Sequence, residues 1–178
     1  TKVTVHQPRH DHVHMKHSYM YNIIADATSD NTPKELSRKI FMKVALAEAS
    51  VHKIPIGEVH FHEVGAIDSI IDIVGSVLGI HYFDIKEIVS SPLPLGNGFI
   101  QCRHGTLPLP APATLEILKN IPVYGIGKPV ETVTPTGAAI IATLAQTFGP
   151  LPPITIEKAG YGVRKRKEHH TSLSARSE

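Results

Sequence analysis

Residues 60–80 read HFHEVGAIDSIIDIVGSVLGI, and the hydrophobic period changes inside that stretch. His60-Phe61-His62 closes a segment, from Ile54 to Val64, that reads as a loop running into an extended strand. From Ala66 to Ile80 the period becomes helical. Asp68, Ser69, Asp72, Gly75, Ser76 and Gly79 fall on one narrow stripe at 3.6-residue spacing, and the other positions are apolar. That pattern predicts a helix that is mostly buried, entered directly from a strand-like segment, so the fold mixes both kinds of element.

Working outward toward the N-terminus, Thr32-Pro33-Lys34-Glu35 has the form of a capping box with proline at the first helical position. It predicts a helix to about His52, with Leu36, Ile40, Val44 and Ala47 on its buried face and no residue suggesting chemistry. Ser18 is placed to cap a shorter helix through Ile24. Toward the C-terminus, 87–91 and 99–103 read as strands of a hairpin joined by the proline- and glycine-rich Pro92–Gly98. A proline-started helix follows over 110–119, another from Val133 to about Thr147, and a strand at 154–158 before Gly160-Tyr161-Gly162. The hairpin favours α+β over α/β. The expected organisation is a His-rich flexible segment with a short helix (1–31), one compact α+β domain with short strands and proline-rich loops (32–162), and a basic disordered tail (163–178).

The 178 residues suffice for one domain with a real core, and 42% hydrophobic with 19% charged is ordinary for a globular protein. A net charge of +2 is too small to argue for nucleic acid or an anionic membrane. No uncharged apolar run reaches the roughly 18 residues of a membrane span, and no signal peptide is visible. The single cysteine, Cys102, excludes an internal disulfide and suits a reducing cytoplasm. Twelve histidines are unusual; His6, His10, His12, His14 and His17 crowd the first 17 residues. Such a tract gathers borderline divalent metals loosely, or is a polar linker.

Four constellations could carry chemistry. His60 and His62, two apart in an extended segment, point the same way and suit nickel, zinc, copper or iron; Glu63 follows them. Their bland reading is two unliganded histidines. Asp68 and Asp72 sit one turn apart on the polar stripe, where a buried carboxylate must be paired, hydrogen-bonded or bound to a cation; capping and a favourable helix N-terminus are the other reading, more for Asp68 than for Asp72. Cys102 and His104 make a second metal pair, or a nucleophile and base, or a buried cysteine beside a loop histidine. Thr134, Thr136 and Gly137, at a helix start, could hold a phosphate or simply cap the helix.

Taken together the motifs match something specific. HFHEVGAIDSIIDIVG, then SPLPLGNGFIQCRHGTLPLPAPATLEILKNIPVYG, VTPTGAAI, FGPLPP and GYG closely resemble the LarC family, from about Tyr19 to Gly162. The resemblance implies a lyase-type cyclometallase that inserts nickel into a pyridinium mononucleotide bearing two thio-acid groups, the nickel-pincer cofactor of lactate racemase. It further implies CTP with magnesium or manganese, bound by a C-terminal domain of the family that has no counterpart here. Family members also begin with a strand and an acidic, glycine-rich segment absent from this chain. On the resemblance, His60, His62, Cys102 and His104 hold nickel, Glu63, Asp68 and Asp72 supply carboxylates, and Thr134, Thr136 and Gly137 take the phosphate. The expected partners are the mononucleotide substrate and the C-terminal half of the same family, with a homo-oligomer left open. The other classes are a non-catalytic nickel-delivery module and a metal-free nucleotide-binding scaffold.

Overall fold

A computed structural model of the chain describes residues 15–61, 67–102 and 105–161, without the side chains of 15–20, 60–61, 67–68 and 102. Within it, five helices and eight short strands form a mixed α+β fold whose compact unit runs from His10 to Pro152. Residues 153–161 belong to a separate unit, are exposed, and form neither helix nor strand. The strand expected at 154–158 is therefore absent: Ile154 and Ile156 have no sheet edge to pair with and remain 60% and 76% exposed.

The chain enters through β1 (Met15–Lys16) and α1 (His17–Asp26), then α2 (Asn31–His52). Asp30, not Thr32, caps α2: its carboxylate accepts the Thr32 N–H at 2.9 Å, and Pro33 lies at the third helical position, still within the turn that needs no N–H. Lys53 ends the helix in the left-handed conformation, its N–H closing on Ala49 and Ser50 carbonyls. Ser37, Ile40, Phe41, Val44, Ala45 and Ala47 form the buried face of α2. α2 is the hub, packing on α1 and on the three helices that follow. Ile24 of α1 is fully buried, so the compact unit takes in the helix before α2.

After β2 (His60–Phe61) comes α3 (Ile67–Tyr82). Its buried positions are Ile70, Ile73, Val74 and Val77, an ordinary one-sided stripe. The expectation of a mostly buried α3 is corrected here: Ile71 and Leu78 are 39% and 36% exposed, and Asp72 and Gly75 also face solvent.

The strands pair in twos. β3 (Val89–Ser90) lies parallel to β8 (Thr147–Phe148), and β4 (Leu93–Leu95) parallel to β7 (Val123–Gly125). Among the described residues, β5 (Phe99–Cys102) and β6 (Gly105–Pro108) make the one hairpin. The hairpin expected between 87–91 and 99–103 does not form, because the connecting Pro92–Gly98 contains strand β4, which pairs with β7. Between β6 and β7 stands α4 (Pro112–Ile117), and α5 (Pro135–Leu144) precedes β8. Ile117, Ala138 and Ala139 close the core against α2. Burying each large aliphatic side chain contributes about 1.5–3 kcal/mol.

Candidate functional site

β2 is short, and its partner matters. It pairs antiparallel with β1, His60 opposite Lys16 and Phe61 opposite Met15. Val59, 1% exposed, anchors the strand to the core. β1, which follows the histidine tract in sequence, therefore lies beside His60. His62 and Glu63 lie outside the described residues. Asp68 stands in the first turn of α3, with its side chain outside the description. Asp72, one turn further, is exposed rather than buried, so it needs no compensating cation. At the other end of α3, His81 Nε2 lies 2.9 Å from the Asp30 carboxylate, tying the helix end to the cap of α2.

Cys102 ends β5 opposite Gly105, so only residues 103 and 104 connect the hairpin. Gly105 has φ +92°, which favours glycine after so short a turn. His104 and the Cys102 side chain lie outside the described residues. Among the described residues, no three His, Cys, Asp or Glu side chains gather into a metal-sized group.

At the start of α5 the backbone donors are partly used. Thr134 is the N-cap; its hydroxyl accepts the Gly137 N–H at 3.2 Å. Pro135, at the first helical position, has no N–H. Ala138 N–H already reaches the Thr134 carbonyl at 2.8 Å. The Thr136 N–H is what this turn offers an anion without displacing a bond, and the Thr136 side chain is 9% exposed.

Sequence reasoning passed over a set of residues on α2. Arg38 lies over the Tyr21 ring at 4.5 Å and pairs with Glu35 at 2.7 Å. Lys39 and Lys43 follow on the same face, and their spacing of four is the signal that was available. Nearby on α4, the hydrogen bond from Lys119, 2.6 Å away, holds the Glu116 carboxyl below the ordinary glutamate value; the Lys119 charge and a Ser50 hydrogen bond act the same way. The lowered pKa means that the pair adds stability above the usual carboxylate range and loses it as pH falls through the lowered value.

With this geometry established, the relatives decide the family. Residues 1–175 match the family model described as nickel insertion protein. The chain belongs to that family. It is 48% identical over 164 residues to the pyridinium-3,5-bisthiocarboxylic acid mononucleotide nickel insertion protein of Acetivibrio thermocellus, covering 91% of this chain and 40% of the relative. Relatives in Dictyoglomus thermophilum and Syntrophobacter fumaroxidans, whose names also refer to nickel insertion, are 50% and 52% identical over 157 and 141 residues. These alignments cover 88% and 79% of this chain, and 40% and 36% of the relatives. The chain of the nickel insertion family thus spans about two fifths of the length of the relatives it matches. No solved structure matches it. Among the described residues, no helix is long and apolar enough to cross a membrane.

Proposed function

We propose that this chain is the nickel-side part of a cyclometallase that inserts nickel into a pyridinium mononucleotide carrying two thiocarboxylates. The observation that carries the reading is its 48% identity to a relative named for that insertion. In the proposed reaction, a ring C–H bond breaks as a nickel–carbon bond forms. The proton passes to a base, and the two sulfurs complete the nickel's ligands. Imidazole and thiolate suit nickel in transit, which assigns His60, His62, Cys102 and His104 to the metal. Glu63, Asp68 and Asp72 are the proposed carboxylates for proton removal. Exposure of Asp72 supports a base that returns its proton to water. Thr136, with Thr134 and Gly137 shaping the turn, is the proposed phosphate contact.

CTP with magnesium or manganese, the service to lactate racemase, and action in the cytoplasm complete the proposal. CTP would be held by the part of a family-length protein that this chain does not span. The test is cofactor maturation in a family-length protein carrying His60→Ala and His62→Ala. The expected result is loss of nickel incorporation by at least tenfold with the fold intact by circular dichroism. Full maturation by both variants would remove these histidines from the nickel path.

A further inference from the structure

Glu35, Arg38, Lys39, Met42, Lys43 and Leu46 recur at three- and four-residue spacing along the side of α2 turned away from its buried stripe. With Tyr21 of α1 they line a groove of about 350 Å³. A second hollow of about 240 Å³ shares Lys43 and Leu46 and continues to Glu116 of α4 and Lys119 just beyond it. The acids here are already engaged, Glu35 by Arg38 at 2.7 Å and Glu116 by Lys119 at 2.6 Å. Lys39 and Lys43 make no ion pair among the described residues, so the groove keeps uncompensated positive charge. Arg38 is fixed rather than free. Its guanidinium stacks on Tyr21, and its Nε is buried without a hydrogen-bond partner among the described residues. The floor is apolar: Met42 is half-buried and Leu46 is 55% exposed.

We infer that this groove is a binding site for a ring-bearing organic phosphate of mononucleotide size. Two lysines and a held guanidinium supply point charges and directed N–H donors for a phosphate or carboxylate. Met42 and Leu46 offer the flat apolar surface that a ring covers. The volume is at the lower end of small-ligand sites, which suits one nucleotide and not two. An acidic peptide would use the same charges, but a held arginine and a nucleotide-sized hollow favour the smaller ligand. Taking the occupant to be the pyridinium mononucleotide rests on the function proposed above and places its phosphate on α2 instead of at Thr136; the anion site itself does not rest on it.

The probe is nicotinic acid mononucleotide, a pyridinium mononucleotide with one carboxylate, titrated into the intact chain without nickel by calorimetry and by NMR. Saturable one-to-one binding is expected, weakened by added salt, with shifts at Tyr21, Lys39, Met42 and Lys43. The double variant Lys39→Gln, Lys43→Gln, on a solvent-facing side of α2, should raise Kd about tenfold or more, equivalent to about 1.4 kcal/mol. Unchanged affinity in that variant, or shifts confined to Thr136 and Gly137, overturns the groove. Equal competition by a poly-glutamate peptide overturns the nucleotide class. Groove binding together with failed nickel insertion by the family-length protein would overturn the proposed function and leave the site. Maturation without groove binding would do the reverse.

Discussion

Thr134 carries two readings at once, and its hydroxyl separates them. The side chain accepts the Gly137 N–H and so completes the first turn of α5. Thr134→Ala should cost about 1 kcal/mol of stability, as other N-cap losses do, read by urea unfolding. If Thr134 also belongs to a phosphate site, the same variant weakens mononucleotide binding; an unchanged Kd leaves it as a cap alone. Gly96 is constrained more tightly. A Cβ there would lie 1.8 Å from the Val130 carbonyl oxygen. The Gly96 N–H reaches the Thr132 hydroxyl at 3.2 Å, and the Asn97 N–H reaches the Lys128 carbonyl at 2.9 Å. The glycine in SPLPLGNG was visible in the sequence, but the segment that presses on it, some thirty residues on, was not.

At the scale of the element, α3 was legible as a helix from its period, and its bounds, Ile67–Tyr82, follow the expected 66–80 closely. Its burial was not legible. Apolar residues on nearly every side suggested immersion, yet among the described side chains Ile70, Ile73, Val74 and Val77 are buried, Ile80 packs partly against the core, and Ile71 and Leu78 are exposed. Nothing lies within 4 Å of a Cβ added at Gly75 or Gly79. Gly75→Ala and Gly79→Ala should each stabilise the protein by about 0.5–1 kcal/mol, since alanine gains helix propensity without a clash. Chemical denaturation of the two variants checks this; a loss of stability would mean that another body approaches that face in solution. The α2 capping box erred by two residues because an aspartate two positions upstream competes for the same N–H. The groove on α2 was missed for a different reason. Its charges are ordinary on a solvated helix face, and only packing of Tyr21 and α4 beside them makes a concavity.

For the whole molecule, the question is how the histidine tract relates to the core. β1, the two residues that follow His14, pairs with β2 at His60 and Phe61. Deleting residues 1–14 leaves that pairing strand in place. Nickel titration should then show fewer sites, with the tightest Kd changed by less than about threefold. Disappearance of all binding would favour a delivery module over a core metal site. The parallel pairs are likewise molecular facts. Gln146 brackets β3, its side chain accepting the Ile88 N–H at 2.6 Å and its backbone N–H reaching the Ile88 carbonyl at 3.0 Å. Residues 88 and 146 are 58 positions apart with α4 and α5 between them, a pairing that no local pattern reports. By itself, the sequence determined the mixed class, the places of the helices and the family, because periodicity, caps and long motifs are local. The tertiary structure alone decided which strands pair, which face of α3 is buried and where α2 becomes a groove, because each depends on what a distant segment places alongside.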